Sequence, residues 1–239
     1  MKIALGIIAL LAWTVAGMFL SELVIAYPLY WLLGDHLTEP FWNSIYIILA
    51  DFLRIFIIIV IPCLIGKYKK QKFLTISREE LGLTGLPTWT DLGLGPIAYF
   101  AYILIFTGAL QLLQNLPWFD ANEVQDLGYT AITNPADKVL AFIALAVVTP
   151  IVEEVIFRGF LYGKIRAHLP AVPAILIVSV LFAALHGQWN VAVGVFILSA
   201  LNCTLREITG TIYAGILAHM TMNGLATFIK YVLYAIIII

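Results

Sequence analysis

Long apolar runs fill most of this sequence and leave only short polar segments between them. A helix that crosses a bilayer needs about 20 predominantly apolar residues, and the first such run begins at Ile3. Apolar residues make up 62% of the 239-residue chain and charged residues 11%, against about 45–50% and about 25% in an ordinary soluble domain. The composition therefore excludes a soluble protein and predicts a polytopic membrane protein.

The apolar runs predict an all-α bundle of about seven transmembrane helices, within a range of six to eight. The predicted spans cover residues 3–33, 42–65, 92–113, 139–161, 171–185, 191–205 and 211–229, and the last could continue to Ile239. The first is long enough to tilt or to break near Pro28. No internal repeat or soluble domain is visible, so the whole chain, 1–239, is predicted to form one integral membrane domain.

Basic and acidic residues alternate between the loops, and this pattern predicts the orientation of the bundle. Lysine and arginine in short loops favour the cytoplasmic side of the membrane. The basic positions are Lys2, Lys67, Lys69, Lys70, Lys72, Arg78, Lys164, Arg166 and Arg206. The intervening loops hold Asp35, Glu39, Asp120, Glu123, Asp126 and Asp137. We therefore expect a cytoplasmic N-terminus, in the plasma membrane if the source is prokaryotic.

The polar loop after the second span carries a short pattern of its own. Ser77 stands three residues before Glu80, which is the spacing of a capping box. Gly82, Gly85 and Pro87 follow and would end any helix that begins there. The loop is therefore expected to contain a short interfacial helix on the cytoplasmic face.

The fourth span contains the densest group of charges within the predicted membrane region. Ionisable residues in a span are costly and mark a functional site by default. Glu154 and Arg158 are four residues apart and share a helix face, which favours a pair between them rather than between Glu153 and Arg158. The alternative is that both glutamates pair with Arg158 and only hold the bundle together. Two adjacent acids exceed what one arginine needs, so we favour a catalytic role for Glu153.

Two later spans add histidines. His186 closes the fifth span, where a lone histidine is more often an interfacial or capping residue. His219 and Asn223 are four residues apart in the seventh span and point to one side of the helix. Their alternative role is an interhelical hydrogen bond. Asp51 with Arg54 in the second span is expected to be a structural pair, and Asn202 in the sixth span a packing contact. Glu22 is assigned no role.

Together these residues suit hydrolysis. A hydrolytic site needs a base that activates water and donors that stabilise the oxyanion. Glu153 with His186 can fill the first role, and His219 with Asn223 the second. The same side chains could instead bind a divalent metal such as zinc through Glu153, His186 and His219, leaving one position open for water. We expect a mechanism that requires no metal or other cofactor.

In the region 138–225 the sequence resembles the CPBP family of intramembrane proteases, also called the CAAX protease and bacteriocin-processing family or Abi family. Three motifs carry the resemblance, in the family's order: Glu153-Glu154-x-x-x-Arg158, Phe182-x-x-x-His186 and His219-x-x-x-Asn223. The family includes the type II CAAX prenyl endopeptidases. The resemblance implies that Glu153 and His186 activate water and that His219 and Asn223 stabilise the oxyanion. It also implies that Glu154 and Arg158 support the site.

The leading hypothesis is an intramembrane endopeptidase that cleaves near the C-terminus of a prenylated or membrane-inserted peptide. Its partners are then the lipid bilayer and such a peptide; nothing suggests a nucleic acid, and no oligomeric state is assigned. A non-catalytic scaffold or bacteriocin self-immunity protein of the same family is the alternative. A proton-coupled transporter would also hold buried acids and histidines, but it predicts repeated halves with broken helices, which the sequence lacks.

Overall fold

The computed structural model describes residues 2–117, 119–120, 129 and 132–230. These residues form helices joined by turns, with no β-strand among them. The seven helices are α1 (Lys2–Leu33), α2 (Pro40–Tyr68), α3 (Trp89–Leu113), α4 (Pro135–Arg166), α5 (Ala171–Ala184), α6 (Trp189–Thr209) and α7 (Tyr213–Phe228). The predicted all-α architecture is confirmed, and each helix corresponds to one predicted span, with ends that differ by a few residues.

Five of these helices, α1 to α4 and α6, are long and apolar enough to cross a membrane. Helix α5 has 14 residues, which gives it a length of about 21 Å and leaves it short of a full span. Helix α1 continues through Pro28 without the break that the sequence allowed. The outer-loop acids Glu123 and Asp126, and the extension of the last span to Ile239, lie outside the described residues. The chain is an integral, multi-pass membrane protein.

The prediction of a short interfacial helix after α2 is wrong. Residues 78–82 form turns, and the next helix begins only at Trp89. Gly82 adopts a φ of +72°, a left-handed conformation that ends any helical run and that glycine adopts without steric cost. The capping box lies further along, where the Thr88 side chain accepts from the backbone N–H of Asp91 and the Asp91 carboxylate accepts from the backbone N–H of Thr88.

Stretches of π-helix interrupt the α-helices at Phe56–Val60 in α2 and at Ile143–Val148 and Glu154–Tyr162 in α4. A π-helix bonds residue i to i+5, and such segments are frequent at functional sites. In each stretch one backbone carbonyl accepts a side-chain donor: Ile58 from Trp13, Leu145 from Asn223, and Gly159 from Arg206. The wider turns therefore offer acceptors to side chains of other helices.

The chain divides into two compact units. The first unit contains Met1–Ser77, Leu127–Ile156 and Met220–Ile239, and the second contains Arg78–Asp126 and Phe157–His219. Helix α4 begins in the first unit and ends in the second, and α7 begins in the second and ends in the first.

Polar contacts at helix crossings join the elements of each unit. In the first unit, the Trp13 indole N–H of α1 donates to the Ile58 carbonyl of α2 over 3.2 Å. In the second unit, the Asn202 amide of α6 donates to the Gly215 carbonyl of α7 over 3.2 Å. The prediction that Asn202 is a packing contact is therefore confirmed.

Candidate active site

In the second unit, aromatic and cationic side chains surround Phe182 of α5. Its ring packs edge-on against His186, with centroids 4.8 Å apart, and against His219, with centroids 6.1 Å apart and planes at 90°. The Arg158 guanidinium lies over the same ring, 4.4 Å from the centroid. Phe157 packs against it as well, at 4.8 Å. One buried phenylalanine thus brings Arg158, His186 and His219 together.

The spacing of the second motif fixes the ring of His186. Phe182 stands four residues earlier, so its backbone carbonyl can reach the imidazole, and Nδ1 of His186 lies 2.8 Å from that oxygen. A carbonyl oxygen can only accept, so Nδ1 carries the proton and donates it. In the neutral ring Nε2 is then the unprotonated nitrogen, with a lone pair that can accept a hydrogen bond. The backbone therefore sets the tautomer that a water-orienting histidine needs.

Arg158 is fully buried and lies within the π-helical stretch of α4. A buried guanidinium stacked on an aromatic face gains a cation–π attraction that strengthens as water is removed. Glu154 and Glu153, at the start of the same stretch and just before it, are also buried. The predicted pair of Glu154 with Arg158 assumed regular α-helical turns, which the π-helix replaces, and it stays a prediction.

Arg206 of α6 contacts the part of the π-helical stretch that belongs to the second unit. Its Nη1 donates to the Gly159 carbonyl over 2.7 Å, and its Nη2 donates to the Glu80 carbonyl. Gly163 is close to both Arg206 and Glu80, since a Cβ there would stand 3.0 Å from Nη2 of Arg206 and 3.1 Å from the Glu80 carbonyl oxygen. From the sequence, Arg206 was expected only to mark a cytoplasmic loop. In the structure it joins the motif-bearing helix to the turn that precedes α3.

In the first unit, a polar network around the buried Asp51 lies one helical turn before Glu153. Asp51 and Arg54 of α2 pair at 2.5 Å, as predicted, and Arg54 also pairs with Glu22 of α1 at 2.7 Å. The Thr149 hydroxyl of α4 donates to the other oxygen of Asp51 over 2.6 Å. Glu153 is close enough to Arg54 to interact with it electrostatically. Glu22 and Thr149 were not predicted, because their partners lie on other helices.

We expect Thr149→Val to destabilise the protein by about 1.5–3 kcal/mol, the usual worth of a hydrogen bond to a charged group. The substitution keeps the volume and the branched shape but leaves the buried Asp51 carboxylate with one donor fewer. Thermal unfolding in detergent measures the change. Thr14→Val is the matched control, because the buried Thr14 hydroxyl donates only to the Leu10 carbonyl of its own helix. Equal losses for both variants would contradict the prediction.

Asn223 of α7 is held by the π-helical stretch at Ile143–Val148. Its amide nitrogen donates to the Leu145 carbonyl over 3.0 Å, within the first unit. A side-chain amide has two N–H donors, so this bond orients the group and uses one of the two. The interhelical hydrogen bond considered for Asn223 is therefore real, and it is compatible with a role as an oxyanion donor.

The predicted site residues divide between the units. Arg158, His186 and His219 belong to the second unit and share Phe182, whereas Glu153, Glu154 and Asn223 belong to the first. Within either unit, the described residues hold no group of three His, Cys, Asp or Glu side chains placed to bind a metal ion.

Comparison with known proteins agrees with the three motifs. Residues 135–225 match the family model described as "Type II CAAX prenyl endopeptidase Rce1-like". All six predicted site residues fall within the matched stretch, as does Phe182. No curated protein and no solved structure matches the chain with significance. The family predicted from the motifs is thus confirmed for this part of the chain: residues 135–225 are similar to the Rce1-like domain of the type II CAAX prenyl endopeptidases, a family of membrane-embedded proteases.

Proposed function

We propose that the protein is an intramembrane endopeptidase that hydrolyses a peptide bond near the C-terminus of a prenylated or membrane-inserted peptide. The observation that carries the proposal is the Rce1-like match, because it covers every residue of the three motifs. Burial of Glu153, Glu154, Arg158 and His219 supports it. Charged groups are not kept inside a membrane protein without a compensating role.

In the proposed reaction, the Glu153 carboxylate takes a proton from a water molecule that the Nε2 lone pair of His186 helps to orient. The water oxygen bonds to the scissile carbonyl carbon as that proton leaves, and the carbonyl π electrons move onto the carbonyl oxygen. N–H donors from His219 and Asn223 stabilise the resulting oxyanion. Collapse of the tetrahedral intermediate breaks the C–N bond, and the departing amine takes the proton from Glu153.

Arg158 and Glu154 have supporting roles in this proposal. Arg158 lies against the face of Phe182, whose edge contacts and backbone carbonyl position His219 and His186. It therefore acts through Phe182 and is a positioning residue. Glu154 is assigned the same supporting role by the resemblance, as a buried carboxylate adjacent to the base.

The direct test uses the full chain, purified in detergent, with a farnesylated C-terminal peptide carrying a fluorophore and a quencher on opposite sides of the scissile bond. We expect fluorescence to rise with time and mass spectrometry to detect both fragments. Two further peptides are tested: the same peptide without the lipid, and a membrane-inserted peptide without a prenyl group. They show whether cleavage requires a prenyl group or only insertion of the peptide into the membrane. Absence of cleavage for all three peptides, in protein shown to be folded, would argue against the endopeptidase.

We expect cleavage to survive exhaustive treatment with EDTA and 1,10-phenanthroline, because Glu153 can activate water as a base without a metal ion. Elemental analysis of the treated protein checks that zinc has been removed. Activity that disappears with chelation and returns with added Zn²⁺ would instead assign Glu153, His186 and His219 as ligands, and the chemistry to a metal-bound water.

A further inference from the structure

A cluster of lysines lies where α2 ends, outside the three motifs. Lys67, Lys69 and Lys70 are all exposed, and the sequence adds Lys72. No acidic residue occurs between Asp51 and Glu79, so nothing in this stretch of the sequence neutralises them. Four lysines within six residues, at the end of a transmembrane helix, form a strong local positive charge.

The length of α2 places this cluster at the level of the lipid headgroups. The helix has 29 residues, or about 43 Å at 1.5 Å per residue. A bilayer with its headgroup regions measures about 40–45 Å, so the helix reaches from one headgroup region to the other. Tyr68 at its last turn is 89% exposed, as expected for an aromatic residue in the interfacial belt.

The cluster lies on a fixed turn. The N–H of Gln71 donates to the Gly66 carbonyl over 2.7 Å, and the N–H of Lys70 donates to the Lys67 carbonyl over 3.3 Å. Together these two bonds form the Schellman motif that ends many helices. Gly66 allows the chain to fold back, because a Cβ there would stand 2.7 Å from the Cβ of Leu74. The positions of the lysine backbones are therefore set by the fold.

Lys70 occupies a position that usually belongs to glycine. It is the C′ residue of this motif and has a φ of +54°, and no other non-glycine residue with a positive φ occurs in the described part of the chain. A side chain in this conformation strains the backbone, whereas glycine does not. A strained backbone conformation that a protein retains points to a role for the residue that adopts it. Here the side chain adds its ammonium group to those of Lys67 and Lys69 on the same turn.

We propose that the turn from Lys67 to Lys70 is a binding site for the anionic headgroups of membrane phospholipids. The ammonium groups attract the phosphates electrostatically, and Tyr68 anchors the same turn at the interface. This site would hold α2 at a fixed depth in the membrane, and with it the polar network that Asp51 and Arg54 form on the same helix. The proposal concerns lipid binding only and does not depend on the peptidase activity.

The test measures thermal unfolding of the full chain in a neutral maltoside detergent, with added phosphatidylglycerol or phosphatidylcholine. Phosphatidylglycerol should raise the Tm more than phosphatidylcholine does, and 0.5 M NaCl should reduce the difference. Inorganic phosphate should not reproduce the effect. Native mass spectrometry then counts bound lipid and gives an apparent affinity for phosphatidylglycerol.

Replacing the three lysines together, as Lys67→Gln, Lys69→Gln and Lys70→Gln, should weaken phosphatidylglycerol binding on the order of 100-fold. Arginine at the same three positions should preserve binding, because it keeps the charge. The matched control neutralises three lysines elsewhere, as Lys138→Gln, Lys164→Gln and Lys230→Gln, and should retain most of the affinity. Equal losses in both glutamine triples would overturn the proposal, since net charge alone would then explain binding.

The single substitution Lys70→Gly separates lipid binding from folding. Glycine relieves the strained conformation, so the Tm in phosphatidylcholine should stay equal or rise. The affinity for phosphatidylglycerol should nevertheless fall by roughly fivefold, because one ammonium group is lost. Unchanged lipid affinity in a stabilised Lys70→Gly protein would show that Lys70 has no part in the site.

Discussion

Glu153→Gln is expected to lower the rate of peptide cleavage by roughly 10²- to 10⁴-fold, the usual contribution of a general base. Glutamine has the same shape as glutamate but cannot take a proton from water at neutral pH. In the proposed reaction, no other carboxylate removes that proton. The loss should appear in kcat, with little change in KM, because the substituted group does not bind the substrate.

The fold should tolerate this substitution. Glu153 interacts electrostatically with Arg54, but Arg54 keeps its ion pairs with Asp51 and Glu22 when the charge at position 153 is removed. The Tm of Glu153→Gln should therefore stay close to that of the wild type. Thermal unfolding in the same detergent as the peptide assay checks this point.

Glu207→Gln is the control for a carboxylate outside the three motifs. Glu207 pairs with Arg166 at 3.1 Å and accepts from the Tyr162 hydroxyl over 2.9 Å, so its replacement tests whether removing any carboxylate that bonds to α4 is enough to stop cleavage. We expect kcat within about twofold of the wild type, since exposed pairs of this kind contribute little. Full activity in a folded Glu153→Gln protein would remove Glu153 from the role of base.

Hydropathy predicted the helices well because a membrane imposes one strong constraint. Every backbone polar group in a span must be bonded within its own helix, so a sufficiently long apolar run becomes a helix. Each of the seven runs corresponds to one helix in the structure, and the predicted and observed ends differ by a few residues. The loop after α2 was mispredicted because it lies outside this constraint. There, Gly82 in a left-handed conformation prevailed over the capping pattern at Ser77 and Glu80.

The motif residues could also be identified from sequence, because charged and polar side chains are conspicuous within apolar helices. The partners of these residues could not be identified from the sequence. The π-helical stretches supply the carbonyls of Leu145 and Gly159 to Asn223 and Arg206, and hydropathy does not distinguish a π-helix from an α-helix. Likewise, Glu22 and Thr149 acquire their roles only when helices far apart in sequence pack together.

The role of Phe182 shows the same limit. In the sequence, Phe182 is one of many apolar residues, and only its position four residues before His186 distinguishes it. The structure shows four different contacts for one ring, with Arg158, Phe157, His186 and His219. A buried aromatic ring can accept a cation on its face and present its edges or face to other rings. The phenylalanine is therefore part of the arrangement that holds both histidines.

Phe182→Ala should consequently reduce stability and activity together. Removing a fully buried phenylalanine usually costs about 3–5 kcal/mol, and the cation–π contact of Arg158 is lost as well. The cavity also frees the rings of His186 and His219 to rotate, so kcat should fall even at temperatures where the protein is folded. Thermal unfolding measures the loss of stability. The peptide assay, run at a temperature below the lower of the two Tm values, measures the loss of kcat separately.

Two further variants distinguish the ring's chemistry from its bulk. Phe182→Leu keeps most of the apolar volume but removes the aromatic face, so it should recover much of the Tm and little of kcat. Phe100→Ala removes a phenylalanine that is 63% exposed on α3 and should change neither quantity appreciably. If Phe182→Leu restored the full kcat, Phe182 would serve only as packing. The positions of His186 and His219 would then depend on the backbone bond from Nδ1 of His186 and on the other neighbours of His219.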